Sequence, residues 1–287
     1  MTLRIPKRTI LSLAALLLLS ACGVKTIYNN LDWVLEGMVD DYIDLTDTQE
    51  EDVDKRIAQL LKWHKETQLA EYVNDLKEIK TFTAKGIDDE SAEIIFAKFL
   101  ERWTAMKTKV APEMAALFLT LNEKQIKALF IRLEEENKEI DEEYKETTEE
   151  EKNIEGGERL LENFSDWLGP LSEEQKELLI SWPPRFQSTH ENRLVFREKW
   201  QLALKQVLDD DIPTEEKRTR LIALTEKPED YQSEQYKAQL VHNSKQVKAL
   251  ILAFGPTVTN EQKTYLAERL DYFIRNFEEL IEETRQN

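Results

Sequence analysis

The stretch Leu266-Ala-Glu-Arg-Leu270-Asp-Tyr-Phe273-Ile-Arg-Asn-Phe277-Glu-Glu-Leu280 spaces large apolar side chains at steps of four, three, four and three. An α-helix, at 3.6 residues per turn, brings such positions onto one face, whereas a half-buried strand needs strict alternation. The same period recurs upstream in Tyr28, Leu31, Leu35, Met38 and Tyr42, and then in Val53, Ile57, Leu60 and His64. It returns in Tyr72, Val73, Leu76 and Ile79, in Ile95, Phe99, Trp103 and Met106, in Ile126, Leu129, Leu133 and Ile140, and in Leu240, Val247, Ile251 and Phe254. No period-two run of comparable length occurs, so the expected fold is all-α, a multi-helix bundle of about nine or ten helices. Pro removes a backbone donor and Gly tolerates positive φ at helix ends. Breaks are therefore expected at Gly86, Ala111-Pro112, Gly156-Gly157, Gly169-Pro170, Pro183-Pro184, Pro213, Pro228 and Gly255-Pro256. The double glycine is the best candidate boundary, dividing a bundle over 27–155 from a second packed bundle over 156–287; a single elongated body also suits the length.

The chain has 287 residues, with 39 Lys+Arg against 57 Asp+Glu and a net charge of -18. Affinity for nucleic acid comes largely from Lys and Arg displacing counterions, so no nucleic-acid partner is expected. Seven glycines supply neither a dinucleotide-binding G-x-G-x-x-G nor a phosphate-binding G-x-x-x-x-G-K-[ST], and no cofactor is expected. His64, His190 and His242 fall on separate predicted helices, without the spacing of a metal site. No G-x-S-x-G elbow occurs, and the expectation is a protein that is not an enzyme.

The amino terminus carries Arg4, Lys7 and Arg8, then an apolar run from Ile10 to Leu19 broken only by Ser12, then Ser20 and Ala21. This reads as a secretory signal peptide over 1–21, too short for the roughly 20 residues that cross a bilayer. Leu19-Ser20-Ala21-Cys22 resembles the bacterial lipobox. The resemblance implies cleavage before Cys22, acylation of that residue with palmitate-type chains, and a short tether over 22–26. Removing Arg4, Lys7 and Arg8 leaves 36 basic against 57 acidic residues, or -21. By similarity to the lipoprotein sorting rule, Gly23 after the cysteine implies the periplasmic face of the outer membrane, with the inner membrane as runner-up. Gly23 to Thr26 span at most about 14 Å, which would hold the folded body against the membrane.

Two further patterns bear on function. Tyr28, Asp32, Trp33, Asp40, Asp41 and Tyr42, followed by Trp63 and His64, alternate aromatic faces with carboxylates. They are the candidate binding surface; the structural reading, which the pattern favours, makes Tyr28, Leu31 and Tyr42 core positions, Asp32 a surface residue and His64, on an apolar stripe, a core histidine. Four boxes, Leu45-Thr46-x-x-Gln49, Leu121-Asn122-x-x-Gln125, Leu171-Ser172-x-x-Gln175 and Val258-Thr259-x-x-Gln262, read as helix capping boxes. Residues 134 to 152 hold eleven acids against three lysines, either a solvated helix end running into Gly156-Gly157 or a docking strip for a basic partner.

On Tyr28-Asn29, Leu31-Asp32-Trp33, Asp40-Asp41-Tyr42, Trp63-His64, Tyr72, Asn137, Glu143-Tyr144, Trp167-Leu168-Gly169, Trp182 and Trp200-Gln201, the chain resembles an uncharacterised proteobacterial lipoprotein family, a domain of unknown function. That family implies fold and location and no activity. The short boxes are similar to the L-T-x-x-Q motif of small helical periplasmic stress chaperones and adaptors. The preferred expectation is a lipid-anchored helical binding or scaffold protein serving envelope homeostasis through a protein partner. The alternatives are an envelope hydrolase using dispersed acids and His64, and a binder of hydrophobic ligands or unfolded chains, which requires an exposed apolar groove.

Overall fold

A computed structural model describes residues 23–286; the signal peptide expected over 1–21 and Cys22 lie outside the described residues. The order is α1 (Val24–Tyr28), α2 (Leu31–Asp40), α3 (Asp47–Trp63), a π turn (His64–Gln68), α4 (Leu69–Lys85), α5 (Asp89–Phe118) and α6 (Glu123–Glu146). There follow α7 (Glu149–Leu168), α8 (Glu173–Ile180), α9 (His190–Asp209), α10 (Thr214–Glu226), α11 (Glu234–Phe254) and α12 (Asn260–Gln286). Eleven of these have eight residues or more, and the π turn joins α3 and α4 into one rod, which leaves ten rods of that length. The described residues contain no strand. The protein is an all-α multi-helix bundle.

The four boxes start α3, α6, α8 and α12, and in each the Gln Oε1 accepts from the N-cap amide at 3.0 or 3.1 Å. The glutamines also pair across the fold. Gln125 Nε2 donates to Gln49 Oε1 at 2.7 Å and to the carbonyl of Asp44 at 2.8 Å, while Gln49 Nε2 donates to the carbonyl of Thr120 at 3.0 Å. Gln175 and Gln262 exchange amide bonds at 2.8 Å, and each reaches the loop before the other's box, at Thr257 and Pro170. Each pair ties two helix starts back to back, because one amide side chain can accept for its own cap and donate to its neighbour.

Three apolar cores result. Ile43, Ala115, Phe118, Leu121 and Leu129 pack with Leu204, Val207, Leu208, Leu221 and Leu224. A second core gathers Leu168, Leu179, Trp182, Leu250 and Phe254, and a third joins Tyr28 and Leu69 to Leu280. The first and third draw on both sides of residues 155/156, so the core is not divided into bundles over 27–155 and 156–287. Ion pairs from Lys80 to Asp271 at 2.6 Å and from Lys77 to Glu278 at 2.7 Å also fasten α12 along α4.

Two expected breaks are absent. Pro112 lies inside α5, and Gly156-Gly157 lie inside α7. The glycines serve close packing instead: a Cβ on Gly157 would stand 3.3 Å from the Cα of Ile180, and one on Gly156 would stand 3.1 Å from the ring of Pro183. The acidic stretch breaks earlier, where Thr148 and Glu151 form a capping box that opens α7.

Candidate functional site

The expected aromatic and acidic surface separates into three places. Tyr28 and His64 meet: the Tyr28 hydroxyl lies 2.6 Å from His64 Nδ1, and His64 Nε2 lies 3.2 Å from the hydroxyl of Tyr72. The shorter contact fits Tyr28 donating to Nδ1, which leaves Nε2–H to donate to Tyr72. Trp63 stands edge-on to the imidazole at 6.4 Å, and Lys65 covers the Tyr28 ring at 5.4 Å. Burial pushes the His64 pKa down to about 4, so the ring is neutral at pH 7, and burial raises that of Tyr28. Asp32, Trp33, Asp40 and Asp41 are solvent-exposed, Trp33 at 75%. Tyr42 packs on the first core and donates to Glu136 at 3.0 Å; Glu136 also takes Arg197 at 2.9 Å.

Tyr72 completes the bridge through the π turn. The stripe of α3 runs through Ile57 and Leu60 to His64, and the next apolar residue is Leu69, a step of five rather than three or four. One π turn absorbs the extra residue and keeps both stripes on one face. That step is the signal in the sequence that marks the junction.

Beside this bridge, α2, α3 and α5 enclose a cleft of about 510 Å³. Leu31, Leu35 and Met38 form one wall, Ile57, Leu60 and Leu61 the second, and Met106, Val110 and Met114 the third, with Trp63 and His64 also in the lining. The size falls in the range of small-ligand sites, on the order of 300–1,000 Å³. Besides Met1 the chain has three methionines, and all three line this cleft. Their unbranched thioethers adapt to differing apolar surfaces. Arg56 and Glu113 are the other ionisable lining groups, and they pair at 2.6 Å, with Asp52 on the same guanidinium at 2.7 Å.

The other two histidines lie elsewhere. His190 accepts or donates at Asp141, 3.2 Å away, and stacks on Tyr144 with ring centroids 3.7 Å apart; His242 contacts the carbonyl of Arg185 at 3.0 Å. Among the described residues no three His, Cys, Asp or Glu side chains are placed to share a metal ion. No helix among them is long and apolar enough to cross a membrane.

Residues 41–237 match the family model DUF6279, a family of unknown function, over more than two thirds of the chain. The chain belongs to DUF6279. No curated protein and no solved structure matches it. The DUF6279 segment contains the α3 and α5 walls of the cleft and His64 with Tyr72, whereas Tyr28, α2 and all of α12 lie outside it.

Proposed function

We propose that this DUF6279 member is a binding protein of the bacterial envelope, held by an acylated Cys22 at the periplasmic face of the outer membrane and taking up apolar groups in the α2–α3–α5 cleft. The observation that carries this reading is the cleft itself: a cavity of about 510 Å³, walled by aliphatic and methionine side chains, whose lining cation is already paired. Such a site favours an apolar ligand through the hydrophobic effect and offers adaptable rather than rigid walls. A scaffolding role in envelope homeostasis follows from the same site if the apolar group belongs to a protein partner. The hydrolase alternative receives less support, because the hydrogen-bond partners of His64 are two tyrosine hydroxyls rather than a nucleophile or a carboxylate.

Two measurements test the proposal. Mass spectrometry of the native protein is expected to find a chain that starts at an acylated Cys22; an intact leader or a bare thiol removes the anchor. Uptake of the uncharged fluorophore phenylnaphthylamine by the full chain is expected to weaken at least tenfold on Met106→Glu, since a carboxylate in an apolar cavity costs several kcal/mol. Equal uptake by both proteins would place binding outside the cleft.

A further inference from the structure

We propose that the partner seated in this cleft is a basic amphipathic helix of another protein, an inference that rests on the binding role above. The apolar stripe of α5 runs Phe99, Trp103, Met106, Val110, Met114 and Leu117 at steps of three and four, about 27 Å along the helix. Its second half lines the cleft against α2 and α3. Its first half is open: Phe99 is 68% exposed and Trp103 55%, beside Leu100 at 61%. A stripe walled at one end and open at the other suits a helix laid lengthwise, with anchors of its own every three or four residues.

Charge selects the sign of that helix. In the cleft, Arg56 is shared by Asp52 and Glu113, which leaves the trio one net negative charge. Wall α2 carries Asp32, Glu36 and Asp40 and no base, and burial, with Asp54, Asp32 and Asp40 nearby, holds the Glu36 carboxyl above its ordinary range. At the open end, Lys98 and Arg102 turn onto α4, where Asp75 takes both at 2.8 and 2.9 Å. Lys109 lies over the Trp63 ring at 5.9 Å. With the chain at -18, a second copy or an anionic amphiphile meets repulsion, while Lys and Arg flanking an apolar face meet attraction.

The test uses the full chain in phosphatidylcholine nanodiscs with carbon-13 methionine methyls, so that Met38, Met106 and Met114 report directly on the cleft. Three probes are titrated: a Leu/Lys helical peptide of about 18 residues, or five turns, a Leu/Glu peptide with the same apolar face, and palmitate. The Leu/Lys peptide is expected to shift all three methyl signals and to bind at least tenfold more tightly than the Leu/Glu peptide. Its affinity should fall at least fivefold between about 50 and 500 mM salt, as screening predicts. Trp103→Ser, an exposed change that the fold tolerates, should weaken it at least fivefold, and Asp32→Asn/Glu36→Gln/Asp40→Asn should narrow the gap between the two peptides. Equal binding of both peptides, or methyl shifts with palmitate alone, overturns the basic helix and leaves the cleft as a site. Silence of the methyls toward all three probes overturns the binding role as well.

Discussion

His64 is braced from both sides of its ring, which makes it a sensor of the fold's integrity near the amino terminus. Its folded pKa of about 4 lies below the ordinary 6.5, so folding favours the neutral ring. The histidine's contribution is therefore fully present above pH 6.5 and is lost as the pH falls from there toward about 4, by up to about 3 kcal/mol. Urea denaturation at pH 7.5 and 4.5 checks this: wild type should lose more stability than His64→Gln over that interval, and equal losses would refute it. Tyr28→Phe removes the donor to Nδ1 and leaves a buried acceptor, which should cost about 1–3 kcal/mol at neutral pH. Of this bridge, Tyr28 and His64 are recognisable as candidates along the chain, but only as separate members of helical stripes. Tyr72 joins them because a π turn rotates α4 against α3, and no local pattern states which hydroxyl an imidazole will meet.

At the scale of elements, the helix starts are the most sequence-determined features, since an N-cap and its third residue interact within one turn. What the boxes do beyond capping depends on distant loops. Gln175 is fully buried and holds the amide of Ser172, Thr257 and Gln262, whereas Gln49 is half-buried. Gln175→Ala should therefore cost about 2–4 kcal/mol by orphaning several buried groups, and Gln49→Ala about 1, as a comparison of urea midpoints would show. Glycines give a second contrast. Gly37 in α2 has open space where a Cβ would stand, so Gly37→Ala should stabilise by about 0.5–1 kcal/mol. Gly157→Ala should destabilise despite the same gain in helix propensity, because the new methyl meets the backbone of Ile180. A stability gain at Gly157 would show that α7 and α8 can separate freely. A glycine pair reads as a break or as a close contact depending only on what lies opposite, and that is invisible from the chain alone.

For the whole molecule, helices from both ends of the chain share cores, as Tyr28 and Leu69 do with Leu280. Calorimetry of the full chain should therefore show one unfolding transition with equal calorimetric and van't Hoff enthalpies; two transitions would mean that the halves unfold independently. The surplus of acids acts at the same scale. A net charge of -18 repels like-charged surfaces and attracts basic ones, while the ion pairs that fasten α12 to α4 draw on the minority of lysines.

The sequence by itself determined the helical class, the starts of α3, α6, α8 and α12 and the acidic character, because a 3.6-residue period, a cap and a charge count are local or additive properties of the chain. Tertiary structure alone decided which stripes meet, that Gly156 and Gly157 sit in a helix, that the four glutamines couple in pairs, and that the stripes of α2, α3 and α5 leave a cavity where they converge. The physical reason is that burying a face satisfies the hydrophobic effect against any complementary face. The choice among partners is made by shape and by polar groups far apart in sequence.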